Sequence, residues 1–215
     1  MSVNDKPAIW EMVVVHRLFR RELKLAPELI RRATPGDTDR AAILASYVTE
    51  VLDGLHHHHE GEDKLLWPLL LERVSFEAEL IETMERQHES VADHIDALRE
   101  LLPAWRKTAQ GGMRVAHVLE RLHADLVVHL DQEEERILPL VAEHITKEEW
   151  DRLGEYGRSH LSKDRLIIQL GALLEDATDW ERQAFLGLLP LPARVLWTLV
   201  GKRQYRKEVT RIRAA

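Results

Sequence analysis

The sequence predicts an all-α fold, an up-down-up-down four-helix bundle followed by additional C-terminal helices. Apolar residues recur at helical spacing in long segments, and short turn sequences separate these segments. No segment of useful length alternates between apolar and polar residues as a half-buried β-strand does. Four long helices with short connections favour antiparallel neighbours, and facing helices of such a bundle can place ligands in its core.

The first two helices are bounded by clear start and stop signals. Helix one covers Ala8 to about Arg32, where the turn sequence Thr-Pro-Gly-Asp at 34–37 ends it. Asp37 can cap helix two, which we extend to about Arg73. Both helices are long enough to span a small domain.

Helices three to five follow in the same way. Helix three covers about 75–107, and a Gln-Gly-Gly turn separates it from helix four at about 113–144. The sequence Thr-Lys-Glu-Glu at 146–149 resembles a capping box and starts helix five, which reaches about Glu175. We therefore expect the bundle and its fifth helix to occupy residues 8–176.

A C-terminal helical extension, residues 177–215, differs in composition from the rest of the chain. Seven of its residues between 194 and 213 are Lys or Arg, and only Glu208 is acidic there. Apolar residues recur at helical spacing in the same segment. We expect this helix to pack back on the bundle, and a peripheral membrane or protein contact through residues 194–213 is the alternative.

Composition narrows the class of protein. A net charge of −7 argues against nucleic-acid binding, and the lack of cysteine excludes disulfides, thiolate metal sites and iron–sulfur clusters. The first 30 residues lack the apolar core of a signal peptide, and no apolar run of about 18 residues is present. We therefore expect a cytoplasmic protein.

One phrase occurs twice in the chain, as HHEGEDKLLWP from His58 and as HLDQEEERILP from His129. Each copy places a glutamate four residues after its first histidine, which gives the pairs His58/Glu62 and His129/Glu133. On an α-helix these side chains leave from one face. Imidazole and carboxylate together are ligands of a transition metal, so two pairs in one bundle predict two metal ions.

Helices one and three provide further histidines at corresponding places. His16 begins the sequence HRLFRREL and His88 begins HESVADHI. Each bundle helix then contributes one histidine to the core. In this arrangement each metal takes two imidazoles, and Glu62 and Glu133 bridge the two ions.

These residues resemble the hemerythrin-like, His-His-Glu cation-binding family in its bacterial form. The resemblance covers about Ile9 to His144 and depends on His16, His88, the run HHHHEGEDKLLWPLL from His56, and HLDQEEERILPLV from His129. It implies two iron ions with an oxo or hydroxo bridge, zinc or manganese being the other candidate metals. It also implies reactivity with O2, NO or peroxide in oxidative or nitrosative stress defence. The residues that match the family's ligand positions are His16, His58, Glu62, His88, His129 and Glu133.

The chain departs from the oxygen-carrying hemerythrins in helices three and four. In helix four the carboxylate lies four residues after His129 rather than five, and Glu134 as the ligand would restore the longer spacing. Those proteins place a second histidine four residues after the helix-three ligand, where this chain has Ala92. One fewer imidazole leaves a coordination position open, which favours redox reactivity or sensing over reversible oxygen carriage. Four residues stay open as further ligands, namely His57, His59, Glu134 and His160.

The sequence is compatible with three functions. The first is a small-molecule-reactive di-iron protein of stress defence, with an enzymatic peroxide or NO activity left open. The second is a non-enzymatic iron or oxygen sensor, or an iron buffer, whose metal is coupled to folding. The third is a helical interaction module in which the metal serves as a structural staple.

Overall fold

The computed structural model describes residues 6–214, and within that range the chain is helical and contains no β-strand. The all-α prediction is therefore confirmed. The helices are, in order, α1 (Trp10–Arg32), α2 (Thr38–Leu65), α3 (Trp67–Arg73), α4 (Ala78–Thr108), α5 (Gly112–Gln132), α6 (Leu138–His144), α7 (Lys147–Ser159), α8 (Leu166–Leu174), α9 (Asp179–Leu188), α10 (Leu191–Leu196) and α11 (Lys202–Arg213). Two π-helical turns interrupt this series at Glu133–Ile137 and Trp197–Gly201.

Four long helices form the bundle. Helix α1 packs against α2 and α5, and α4 packs against the same two helices. Helices that follow one another in the chain are thus neighbours in space, and the last closes against the first, as in an up-down-up-down bundle. Asp37 caps α2 as predicted, because its carboxylate accepts a 2.9 Å hydrogen bond from the backbone N–H of Arg40.

The two prolines of the repeated phrase distort their helices in different ways. Pro68 lies in the first turn of α3, after a break at Leu66. Pro139 lies in the first turn of α6, and a π-helical turn starting at Glu133 precedes it. Both distortions follow from the missing proline N–H, which leaves an upstream carbonyl without its helical donor. The two copies of the phrase therefore differ in backbone structure near their prolines.

The predicted fifth helix ends earlier than expected. Helix α7 starts with the capping box of Thr146 and Glu149 but stops at Ser159, and α8 begins only at Leu166. The Ser159 hydroxyl and the His160 Nδ1–H both donate to the carbonyl oxygen of Tyr156, at 2.7 and 2.8 Å. These side chains compete for the carbonyl that the next helical N–H would use.

Helix α11 packs back on the bundle. Ile212 is buried in the core of the long helices, and Arg213 donates to the carboxylate of Glu175 at 2.6 and 2.8 Å. Arg40 of α2 donates to the carbonyl oxygens of Arg211 and Ile212 at 2.8 and 2.6 Å. Among the described residues, none of the helices combines the length and the apolar character needed to cross a bilayer.

A polar layer divides the bundle core into two apolar clusters. On α1, Met12 belongs to one cluster and Phe19 to the other, and His16 lies between them. On α4, Met84 and Val91 flank His88 in the same way. The site described next occupies this layer, so the apolar clusters on both sides shield it from water.

Candidate metal centre

All six residues predicted from the sequence come together in the polar layer. They come from α1, α2, α4 and α5, together with the first residue of the π-helical turn. Each bundle helix thus supplies at least one group. The five that are fully or almost fully buried are His16, Glu62, His88, His129 and Glu133. His58 is largely buried, with its side chain 11% exposed.

The donor atoms form two sets, and within each set they lie within 4.8 Å of one another. The first set contains His16, His58, Glu62 and Glu133. The second set contains His59, Glu62, His88 and His129. Glu62 belongs to both sets, so its carboxylate could contact a cation held by either set.

This arrangement differs from the expected one in two ways. His59, whose role the sequence left open, joins the second set and gives it three imidazoles. Glu133 belongs to the first set alone, although its Oε2 atom lies 3.6 Å from His129 Nε2. The signal for His59 was present in the sequence, because residues three and four before Glu62 share its helix face.

His88 and His129 direct their Nε2 atoms at each other across 3.2 Å. The Nδ1–H of His88 donates to Asp63 Oδ1 at 2.7 Å, and the Nδ1–H of His129 donates to Gln87 Oε1 at 3.1 Å. Both Nε2 atoms therefore carry lone pairs that face one another. A cation between them would turn this repulsion into coordination.

Several buried oxygen and nitrogen atoms of the site have no hydrogen-bond partner among the described residues. This holds for both carboxylate oxygens of Glu62 and of Glu133, and for Nε2 of His16, His58 and His59. His16 Nε2 and His58 Nε2 each lie 3.3 Å from a glutamate oxygen, but without hydrogen-bond geometry. Buried polar atoms without partners are costly. These donors fit a pair of transition-metal ions in number, chemistry and direction.

Outer hydrogen bonds orient the imidazoles. The Nδ1–H of His16 donates to Glu134 Oε1 at 2.9 Å, and Arg20 donates to the same oxygen at 2.6 Å. Asp63 also accepts from the Trp67 indole N–H at 3.0 Å. Such contacts fix which nitrogen of a histidine faces the metal. Glu134, an alternative ligand in the sequence, lies outside both sets and holds His16 instead.

Burial sets the protonation of the site. It lowers the pKa of His58, His59 and His129 well below the ordinary value, and the neighbouring imidazoles add to this shift. Neutral imidazole is the form that binds a metal. Burial also raises the pKa of Glu62 and Glu133, and for Glu62 the charge of Glu133 adds to the effect. A bound cation would oppose this shift, because its charge favours the ionised carboxylate.

Glu134 behaves differently from Glu133. Burial raises its pKa, but the hydrogen bonds from His16 and Arg20 outweigh burial, so the pKa lies below its ordinary value. An ionised Glu134 is a strong acceptor for the His16 N–H. The two remaining open candidates, His57 and His160, stack on each other with ring centroids 4.2 Å apart and belong to neither set.

Comparison with known proteins agrees with this geometry. The family model described as the hemerythrin HHE cation binding domain matches residues 8–141. The match covers more than half of the 215-residue chain and includes every residue of both donor sets. Comparison with curated proteins and with solved structures gave no match. The family match and the buried cluster of histidine and glutamate lead to one conclusion, that this chain belongs to the hemerythrin HHE cation-binding family.

Proposed function

We propose that this protein is a non-haem di-iron protein that binds or reacts with O2, NO or peroxide. In this proposal the first iron is held by His16, His58, Glu62 and Glu133, and the second by His59, Glu62, His88 and His129. The observation that carries the proposal is the position of Glu62, whose two unpartnered oxygens belong to both donor sets. A shared carboxylate is the usual link of a dinuclear carboxylate centre in a helix bundle.

The chemistry of the donors supports iron. Imidazole and carboxylate ligands with open coordination positions are typical of non-haem iron. Bound iron supplies redox chemistry and a coordination position for a small molecule. The apolar clusters limit the access of water along the bundle axis, and Asp63, Gln87 and Glu134 orient the histidines.

Metal analysis with an optical spectrum tests this proposal. The metal-free protein is loaded with Fe²⁺ without oxygen, freed of unbound iron and analysed for iron per chain. The loaded protein is then exposed separately to O2, NO and peroxide while its absorption is recorded. We expect two irons per chain and a spectral change with at least one of the three. Two zinc or manganese ions in the purified protein, with no iron uptake, would contradict the proposal.

An iron buffer or sensor is the second candidate, and the unpartnered buried atoms of the polar layer favour it. A site that is costly to bury without metal couples metal binding to folding. A loaded protein that stays spectrally inert to O2, NO and peroxide, yet unfolds on iron removal, would support this function over the first.

The C-terminal segment favours an additional peripheral contact with an anionic membrane surface. Leu191 and Leu199 are 69% and 74% exposed, and further apolar side chains around them are exposed as well. Exposed basic residues follow directly, namely Lys202, Arg203, Arg206 and Lys207. An apolar ridge beside basic residues suits the interface of an anionic bilayer.

Vesicle pelleting tests this contact. The protein should sediment with vesicles that contain phosphatidylserine and stay in solution with phosphatidylcholine alone. The double variant Leu191→Glu and Leu199→Glu should lose sedimentation while its iron content stays at two per chain. Equal sedimentation of the variant would contradict the contact.

A further inference from the structure

A groove runs between α2 and α4 and ends at the second donor set. Its cavity volume is about 480 Å³. The lining residues of α2 recur at helical spacing, and those of α4 do the same, so two helix faces form the walls. The lining residues are His56, His59, Glu60, Asp63, Glu85, His88, Glu89, Ala92 and Ile95.

The floor of the groove consists of two imidazoles of the metal centre. His59 and His88 stack there with ring centroids 4.0 Å apart and planes inclined by 8°. Both side chains are about 5% exposed, and His59 Nε2 has no hydrogen-bond partner among the described residues. The groove therefore leads from solvent to donor atoms of the centre.

The walls of the groove are acidic. Four carboxylates line it, from Glu60, Asp63, Glu85 and Glu89, and its described lining contains no Lys or Arg. Lys64 pairs with Glu60 at 2.6 Å but does not line the cavity. A cleft of one charge with low-dielectric walls concentrates ions of the opposite charge. This groove therefore attracts cations and disfavours anions.

A third cluster of ligand groups stands at the rim. Donor atoms of His56, His57 and Glu60 lie within 4.8 Å of one another, and His57 Nδ1 is 3.2 Å from Glu60 Oε2. All three side chains are half-buried, so a hydrated cation can reach them. His56 and Glu60 also line the groove, which joins the rim cluster to the floor.

Ala92 keeps the groove open on the α4 side. It is exposed and lines the cavity one helical turn after His88. A methyl group there occupies little of the space between the helices. A large side chain at this position would fill the opening.

We propose that this groove is the route by which a divalent cation enters the metal centre. The cation is captured by His56, His57 and Glu60 at the rim, passes the carboxylates of Glu85 and Glu89, and reaches His59 and His88. This inference rests on the proposed function in one respect, that the two buried donor sets bind metal ions.

The rate of Co²⁺ uptake tests the route. Metal-free protein is mixed with Co²⁺ at low salt, and uptake is followed by the visible absorption of the bound ion. The variant Glu85→Gln with Glu89→Gln should take up Co²⁺ about tenfold more slowly, because it loses two wall charges. Its final content of tightly bound Co²⁺ should stay at two per chain. The rate difference should shrink at high salt, where charges are screened.

The matched control is Glu72→Gln with Glu143→Gln, which removes two exposed carboxylates that do not line the groove. Its uptake rate should equal that of the unmodified protein. The variant Ala92→Phe should slow uptake at low and at high salt, because it blocks the opening sterically. Equal rates for the groove variant and the control would overturn the route. A lower final Co²⁺ content in the groove variant would overturn it too, because a wall residue changes the rate and not the content.

The rim cluster has a test of its own. Equilibrium titration should show a third, weaker Co²⁺ ion beyond the two tight ones. His56→Ala with His57→Ala should remove this ion alone, and the control His117→Ala with His144→Ala should keep all three. Loss of a tight ion in the rim variant would overturn the assignment. These readouts do not depend on iron chemistry, so a protein inert to O2, NO and peroxide would refute the proposed reactivity and leave the route standing.

Discussion

Glu133 and Glu134 are adjacent in the chain and contact opposite ring nitrogens of His16. Glu133 Oε2 lies 3.3 Å from His16 Nε2 inside the metal centre, and Glu134 Oε1 accepts from His16 Nδ1 at 2.9 Å outside it. Both carboxylates thus contact one imidazole, Glu133 at the nitrogen that faces the candidate metal centre and Glu134 at the other nitrogen. The pair offers matched substitutions that separate ligation from orientation.

The first prediction uses this pair. Glu133→Gln should lower iron from two to about one per chain, because it removes a charged ligand of the first set. Glu134→Gln should keep two irons at saturation but weaken their affinity by about 10- to 100-fold, since it only weakens the support of His16. Iron titrations of the two variants check this. The same loss of content in both would contradict the different roles.

The second prediction concerns the shared carboxylate. Glu62→Ala should reduce bound iron below one per chain, because both donor sets lose a ligand. His59→Ala should leave about one tightly bound iron, since it belongs to the second set alone. His117→Ala is the control and should keep two. An iron content of two in the Glu62 variant would refute the assignment of this residue.

A third prediction concerns metal removal. Chelation should lower the unfolding midpoint, and a metal concentration 100 times the dissociation constant should raise the free energy of unfolding by about 2.7 kcal/mol. Glu62→Leu should make the metal-free protein as stable or more stable, because it replaces an unpartnered buried carboxyl group by an apolar one. That variant should gain nothing from metal. Urea unfolding with and without Fe²⁺ or Zn²⁺ measures both effects.

A fourth prediction concerns acid stability at the join between the bundle and α7. Arg73 donates to both oxygens of Glu149 at 2.8 and 2.6 Å and, despite some burial, lowers the pKa of this carboxyl group to about 2. The folded pKa lies below the unfolded value of about 4.3, so the pair stabilises the fold above that value. This contribution is lost as the pH falls through 2. Glu149→Gln should lower the urea midpoint at pH 7 and flatten its decline between pH 4.5 and 2. A parallel decline in both proteins would contradict the pair's role.

A fifth prediction tests the packing of α11. A Cβ atom on Gly171 of α8 would approach the Tyr205 ring to 2.3 Å, a distance that packed carbon atoms do not reach. Gly171→Ala should therefore displace α11 and expose it to proteolysis. Gly187→Ala is the control, because no atom lies within 4 Å of its Cβ position. Limited trypsin digestion should cleave the first variant faster after Arg206 or Lys207.

Helical periodicity predicted the bundle, and the six residues singled out in the sequence come together in its core. Helical spacing alone determines which side of α2 carries His58 and Glu62. Spacing also puts His59 on the helix face of Glu62, but it does not show which imidazoles lie opposite His59 across the core. Only the position of His88 and His129 across the core gives His59 its place in the second set.

Other features depend on contacts that spacing does not contain. The early end of α7 follows from the side chains of Ser159 and His160, which bond the Tyr156 carbonyl. The restriction of Glu133 to one donor set depends on the positions of His16 and His58 across the core from it. The π-helical turn that starts at Glu133 is a second such feature. A π-helical turn has no dependable sequence signature. The similarity of the two phrases therefore did not predict that their backbones differ.

That turn makes the two halves of the molecule non-interchangeable. A chimera that carried the first phrase in place of the second would lose the π-helical turn at positions 133–137. Residues beyond it would then rotate about 100° around the axis, and Val141 and Ile145 would leave the apolar cluster that they now fill. The two copies of the phrase are similar in sequence, but each one is compatible only with its own position in the helix bundle.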